Sequence, residues 1–290
     1  MAEKKPKVSV LMPFYDNGSA ENRENFSRAL SSILSQTYRN YEVVLVASGA
    51  KEFARRQARR SGKIRLFFFE QKAIPGRRVP LKEKLYGIVT ARNLCLSRAR
   101  GELLAFADYD DISLPGRLKT QAEFLDSHPE IGAVASSMIL IDGAGNEIGR
   151  RAVFENDAEI RQRMLQFNTV PQPSLMARAA LVRKAGGYRP GEIPEDFDLW
   201  VRMAKIARVR NLLSPLVKYR VHPGGGASNY KFELFFGSLR VKMRAAKTLG
   251  LKIGPKDVAV NLLQFASLFF PNFLRRIAFE KIRSGMVIGN

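Results

Sequence analysis

A parallel β-sheet covered by α-helices is the fold this sequence predicts. Three observations carry the prediction. Between Val8 and Phe69, short apolar runs alternate with segments of helical period in the order strand, helix, strand, helix, strand. A further apolar run, Leu103–Ala107, stops abruptly in Asp108, Asp110 and Asp111, and open α/β sheets bind ligands at the carboxyl ends of their strands. The chain has 290 residues, 46% of them hydrophobic, so it can bury a full core as one large domain or two small ones.

The elements follow in order. Val8-Ser9-Val10-Leu11-Met12 reads as a buried first strand that stops at Pro13, with Phe14–Gly18 as a loop. Ser19–Ser35 reads as a helix, because Phe26, Ala29, Leu30, Ile33 and Leu34 recur at the spacing of one buried face. Tyr41–Val46 is the second strand, running out into Ala47-Ser48-Gly49. Lys51–Arg60 is a basic helix and Ile64–Phe69 the third strand. Glu70–Leu81 is a basic loop, and a helix around Ile88–Arg98 carries Ala91-Arg92-Asn93 before Gly101. Ser113-Leu114-Pro115 opens a helix at Arg117–Leu125. Ala133–Ile141 is a strand with a turn after it, Glu155–Gln166 a helix, Leu175–Ala177 a short strand, and Ala179–Ala185 a helical turn stopped by Gly186-Gly187-Tyr188. Pro194-Glu195-Asp196 opens the next helix, with proline first and acids in the first turn. There Asp198 and Arg202 are spaced to pair, which makes Asp198 structural, and Leu199, Trp200 and Met203 are core.

The acidic stretch carries the chemistry. Residues two apart in an extended chain point the same way, so Asp108 and Asp110 project together from the strand end. Two carboxylates held that close repel unless a cation lies between them. Mg²⁺ and Mn²⁺ take oxygen ligands and share them with substrate phosphates. The plainer reading is a polar turn before the Arg117 helix. Arg92 reads either as a solvated arginine or as a bidentate phosphate contact at the same sheet edge.

Composition narrows the classes. A single cysteine, Cys95, excludes an internal disulfide framework and any multi-cysteine zinc cluster, and fits a reducing compartment. The net charge of +21 calls for a polyanionic partner or surface: nucleic acid, anionic lipid or phosphorylated substrate. The basic start, Met1–Lys7, runs into a strand without a long apolar segment, so no signal peptide is expected. No stretch approaches the roughly 20 apolar residues of a spanning helix, and no internal repeat is found.

Taken together, these pieces resemble a family 2 glycosyltransferase of the GT-A fold. The matching residues are Val8–Tyr15, Ser32–Tyr38, Ala91-Arg92-Asn93, Phe106–Asp111, Gly186-Gly187-Tyr188, Glu195–Trp200 and Tyr219-Arg220-Val221-His222-Pro223. Each piece alone is weak; their joint order over about Val8–His222 is specific. The resemblance implies a Rossmann-like, mostly parallel central sheet with flanking helices. It implies a domain over residues 1–222, with a nucleotide-sugar half at about 1–111 and an acceptor half at about 112–222.

It also implies roles. Pro13, Phe14, Tyr15, Asp16 and Ser48 would hold the nucleotide base, Arg92 would lie near the diphosphate, and Asp108 near ribose and metal. Asp110, with His222, would bind a divalent cation, Mn²⁺ or Mg²⁺, and Asp196 would be the general base for the acceptor hydroxyl. Asp111, Glu195 and Trp200 would support them. Such a site is that of an inverting enzyme: a cation steadies the departing diphosphate and a base sits opposite it. Partial burial beside Glu195, Phe197 and Trp200 would raise the pKa of the base. One departure stands out: where the family usually carries one or two Asp residues that contact a uridine or similar base, this chain has Ala47-Ser48. Asp16, where Asn is more usual, is the residue placed to compensate.

The remaining residues, 223–290, read as a Gly-rich loop, Pro223–Ser228, with lid or linker as its alternatives, and a basic helical tail. Asn229–Leu249 is an amphipathic helix with Phe232, Phe235, Phe236, Leu239 and Met243 on its apolar side. Val258–Phe270 is an apolar helix interrupted by Asn261 and Gln264, followed by Arg275-Arg276. It either packs on the domain or lies in an anionic membrane interface. The expected partners are a nucleotide-diphosphate sugar, a UDP-sugar first, a glycan or lipid-linked acceptor, and an anionic membrane surface. The expected location is the cytoplasm, peripheral on the inner face of the membrane. The competing functions are a nucleotidyltransferase, lacking its Gly-rich loop; a basic nucleic-acid-binding protein, lacking a recognition motif; and a family member that binds nucleotide or glycan without transfer.

Overall fold

The computed structural model describes residues 5–70, 81–222 and 230–271. The greater part of the basic loop, the Pro223–Ser228 loop and Arg275-Arg276 lie outside them. Nine strands form one sheet in the order β3-β2-β1-β4-β8-β6-β9-β5, with β7 paired to β6. The strands are β1 (Val8–Tyr15), β2 (Tyr41–Ser48), β3 (Ile64–Phe68), β4 (Leu103–Phe106), β5 (Ile112–Ser113), β6 (Ile131–Ile141), β7 (Glu147–Arg151), β8 (Met176–Arg178) and β9 (Arg208–Arg220). The helices are α1 (Ala20–Leu34), α2 (Lys51–Ala58), α3 (Leu81–Arg98), α4 (Arg117–Ser127), α5 (Asp157–Arg163), α6 (Ala179–Lys184), α7 (Glu195–Ile206), α8 (Lys231–Leu249) and α9 (Pro255–Ser267).

The N-terminal half is the predicted parallel sheet: β1 pairs in parallel with β2 and β4, and β2 with β3. β1, β2 and β4 are buried on both faces, so they read as continuous apolar runs, while the edge strand β3 is half-buried. Alternation still sorts them. Val10, Met12, Val43, Leu45 and Ala105 join one core with Phe26, Leu30 and Leu118 of α1 and α4. Leu11, Val44, Val46, Leu104 and Phe106 join the other with α3, α6 and α7. Beyond β4 the sheet becomes mixed, because β8 runs antiparallel to both β4 and β6, while β6 and β9 pair in parallel.

Local chemistry sets the boundaries. Ser19 caps α1 by accepting the Asn22 N–H at 3.1 Å. The α3 helix starts at Leu81, earlier than expected, and α5 covers only Asp157–Arg163 of the predicted Glu155–Gln166. Three strands were not anticipated. Two are short, β5 and β7. The third, β9, hides its pattern behind a slip in register against β6 between Ser136 and Met138.

Two helices close the molecule. The buried side of α8 is Gly237, Val241, Lys242 and Ala245, and it lies directly on α7. At Gly237 a Cβ would meet the Ile193 carbonyl oxygen at 2.3 Å, so only glycine admits this approach. The Arg244 guanidinium bonds both Asp198 and Glu192.

Candidate active site

The rim of the parallel half builds the site. Register places Tyr15 opposite Ser48 and Leu11 opposite Phe106, so β1, β2 and β4 release their loops along one edge. Below the acidic loop, buried Arg117 donates to the Phe106 carbonyl at 2.6 Å and to Ser113 Oγ at 2.9 Å. A cleft of about 430 Å³ opens there, lined by Pro13, Phe14, Tyr15, Phe69, Ile88, Arg92, Asp108, Tyr109 and Asp110. Phe14 meets Tyr109 edge to face, their centroids 5.6 Å apart.

Asp110 and His222 meet at 2.8 Å, Nε2 to Oδ2, although 112 residues separate them. This contact raises the imidazole pKa, hydrogen bonding to Asp110 being the leading cause. Arg220 explains how they meet. From the end of β9 its backbone N–H donates to Asp111 Oδ1 at 2.8 Å and its Nε to the Asp110 carbonyl at 3.1 Å, while Nη1 holds the Asp142 and Gly143 carbonyls. Asp111 is thus a brace for the loop. Burial raises its carboxyl well above the usual range, and the charges of Asp110 and Asp108 add to this.

Arg92 is the hub of the opposite wall. Its guanidinium pairs with Glu195 and lies 3.5 Å from Asp108, over the Tyr188 ring. Gln172 bridges it to the Tyr188 hydroxyl: with the amide oxygen turned toward the guanidinium, Arg92 Nη2 lies 2.7 Å away and the hydroxyl 2.8 Å from the nitrogen. The neighbouring Asn93 side chain exchanges bonds of 2.8 and 2.9 Å with the Tyr188 backbone. The Ala91-Arg92-Asn93 and Gly186-Gly187-Tyr188 pieces therefore form one assembly that fixes the start of α7.

That helix delivers Glu195 and Asp196. Glu195 is buried, and burial raises its carboxyl against the opposing pull of Arg92. Asp196 is half-buried; its Oδ2 accepts the Asn168 amide at 3.0 Å and its Oδ1 the Phe197 N–H at 2.7 Å. Asp108 stands between the two acidic groups. Burial raises its carboxyl, Arg92 opposes, and the charges of Asp110 and Asp196 each raise it further. Trp200 is core, edge-on to Phe106 at 5.4 Å. Asp198 is structural as expected, fully buried and bonded to Arg202 and Arg244.

At the base end, Ser48 is buried and its carbonyl accepts the Asp16 N–H at 2.9 Å. The Asp16 side chain is buried, with Oδ1 on the Gly18 N–H at 2.7 Å and Oδ2 on Arg23 Nε at 2.9 Å. Both oxygens therefore already serve the loop. The residues that sequence reasoning gave no role are Asn168, Gln172 and Arg220. Only Arg220 carried a signal, its place beside His222.

The sequence of residues 9–184 matches the family model described as Glycosyl transferase family 2. This chain is a family 2 glycosyltransferase. The amylovoran biosynthesis glycosyltransferase AmsE of Erwinia amylovora is 31% identical over 214 residues, 73% of this transferase and 75% of that protein. The transferase has the GT-A fold. A crystal structure of S. aureus TarS 1-349 with UDP-GlcNAc matches at a TM-score of 0.62 and 18% identity, over 96% of this chain and 75% of that one. The mannosyltransferase PcManGT of Pyrobaculum calidifontis, in complex with GDP-Man and Mn²⁺, matches at 0.53 and 16%, over 97% and 84%.

The donor set of the transferase suits a divalent ion. Among the described residues no three His, Cys, Asp or Glu side chains cluster for a metal. Asp110 and His222 supply a touching oxygen and nitrogen. Mg²⁺-type sites commonly use one or two carboxylates and complete their shell with substrate phosphates and water. A two-residue site at the edge of a cleft of about 430 Å³ fits that chemistry.

Proposed function

We propose that this protein moves a sugar from a nucleoside diphosphate sugar to a hydroxyl acceptor, with inversion at the anomeric carbon. The supporting observation is geometric: Arg92, on the wall of the cleft that Asp108 and Asp110 also line, pairs with both Asp108 and Glu195, so one guanidinium ties the acidic loop to the helix start that bears Asp196. The nucleotide lies along Pro13, Phe14, Tyr15, Asp16 and Ser48, with the donor half at about residues 1–111. Asp110 and His222 would hold Mn²⁺ or Mg²⁺, which would supply positive charge to the leaving diphosphate. Arg92 fixes Glu195 and Asp108 and turns the start of α7 toward the cleft. Asp196, oriented by Asn168, takes the proton from the acceptor hydroxyl as that oxygen attacks the anomeric carbon. The acceptor half is about residues 112–222. AmsE is named for a polysaccharide, and TarS and PcManGT were solved with UDP-GlcNAc and GDP-Man. A surface or exported glycan is therefore the product, with a UDP-sugar the first donor to try. The acceptor is carried on a lipid at the inner face of the cell membrane.

A panel of UDP-, GDP- and dTDP-sugars with Mn²⁺ or Mg²⁺ tests this, read as donor turnover and as anomeric configuration by NMR. Turnover of one donor with an inverted product is expected. A panel that is neither bound nor turned over removes the enzyme reading in favour of a catalytically silent binder.

A further inference from the structure

The α9 helix is inside out. Its polar residues Asp257, Asn261 and Gln264 face the domain: Gln166 donates to Asp257 at 2.6 Å, Asn261 to the Leu165 carbonyl at 2.9 Å, and Gln264 to the Gln166 carbonyl at 2.8 Å. Buried Lys242 of α8 donates to Asn261 and Gln264 from below. The residues that interrupt the apolar pattern are thus the anchors. Val260 packs into the core, but the rest of the helix's apolar side points outward, with Leu262 63%, Leu263 57% and, just past the helix end, Phe269 69% exposed.

Across the described residues, ten of the fourteen exposed large apolar side chains lie between Phe232 and Phe270. Concentration of that kind marks an interaction surface rather than ordinary scatter. An open apolar groove of about 410 Å³ runs between α8 and α9, lined by Phe235, Leu239, Met243, Val258 and Phe265.

Charge selects the occupant. On α8, Phe236, Arg240, Met243 and Lys247 stand at i, i+4, i+7 and i+11, one line of alternating apolar and basic side chains. Exposed Lys252 and Lys256 flank Ile253 and Val258. Between Tyr230 and Pro271 there are seven Lys and Arg against Glu233 and Asp257; Asp257, Lys242 and Arg244 are engaged on the inner side, which leaves Arg240, Lys247, Lys252 and Lys256 exposed against Glu233. Two copies of so basic a face repel one another. Apolar side chains among Lys and Arg match lipid tails beneath anionic headgroups, the long basic side chains reaching back to the headgroup level. At 13 residues α9 is about 20 Å long, short of the roughly 30 Å hydrocarbon core, so it lies in the interface plane.

We infer that the outer face of α8 and α9 seats this transferase on an anionic lipid bilayer. The inference gives a surface to the membrane placement proposed above and does not require turnover. Flotation of the full chain tests it, using phosphatidylcholine vesicles with and without phosphatidylglycerol. Salt-sensitive binding to the anionic vesicles alone is expected. Leu262→Glu combined with Leu263→Glu should weaken it about tenfold or more at unchanged Tm, since both side chains are exposed. Lys252→Glu with Lys256→Glu should weaken it at low salt. Failure of the wild type to float overturns the inference, as does equal flotation by the leucine variant. A dimer that the leucine variant dissociates, without lipid binding, overturns it in favour of a second copy. Donor turnover on the same samples separates the readings: an inactive protein that floats loses the transferase chemistry and keeps this surface, and an active one that stays in the aqueous layer does the reverse.

Discussion

The cleft rim and the α8–α9 pair treat polarity in opposite ways. At the rim, polar groups are buried and held by one another: Arg92 by Glu195, Asp108 and Gln172, and Asp111 by Arg220. In the tail, polar groups are also buried, yet the apolar ones are left outside. The contrast shows that burial alone does not mark function. At the rim, carboxylates crowd around one guanidinium and open onto a cleft; in the tail, the buried bonds of Gln166, Asp257, Asn261, Gln264 and Lys242 anchor a helix whose greasy side faces outward.

The comparison breaks most readily at Asp196. If the rim is chemical, Asp196→Asn should lower transfer by about 10²–10⁴-fold and leave nucleotide binding, read by thermal shift, in place. Equal transfer by variant and wild type removes the proposed base.

The next largest effect belongs to Arg92. Arg92→Leu leaves buried Glu195 and half-buried Asp108 without their cation, so unfolding free energy at pH 7 should fall by about 3 kcal/mol. The deficit should narrow as pH drops and Glu195 takes up a proton. An unchanged melting temperature would show that the guanidinium does not hold this wall.

The smallest effect sharpens the tail side. Burial pulls the Lys242 ammonium from its ordinary 10.5 down to about 7. As a neutral amine it still has the two N–H donors that Asn261 and Gln264 accept. Between pH 7 and 10.5 the unfolded chain binds the proton and the folded one does not, so stability rises with pH across that window and is flat below it. Relative to Lys242→Met, the wild type should gain up to about 2 kcal/mol by about pH 9. Parallel pH profiles of the two melting curves would contradict the assignment.

Legibility in the sequence followed the range of the interaction. The apolar strand β4, which ends at Phe106, and the helix opening at Glu195-Asp196 are local patterns and stand where the sequence puts them; Tyr109 and Asp110 lie in a turn, so Asp108 and Asp110 do not follow the alternation of an extended strand. The link between Arg92 and Glu195 spans 103 residues, and no spacing announces it. The long strand β9 is masked twice. Inward Asn211 looks polar until the Phe154 and Thr169 carbonyls are seen to accept its amide, and the register slip carries Leu216 and Val217 out of phase with Val209. The partner of Asp16 was hidden in the same way: Arg23, one turn into α1, engages its carboxylate.

The bare backbone at Gly237 and the Arg244 fork on Asp198 and Glu192 join the tail to the segment that bears Asp196. The grip is direct, side chain to side chain at 2.9 Å between Arg244 and Glu192. Whatever surface the last helices rest on, the carboxylate proposed as the base therefore keeps a set height and angle above it, and its reach toward an anchored hydroxyl becomes a dimension of the fold.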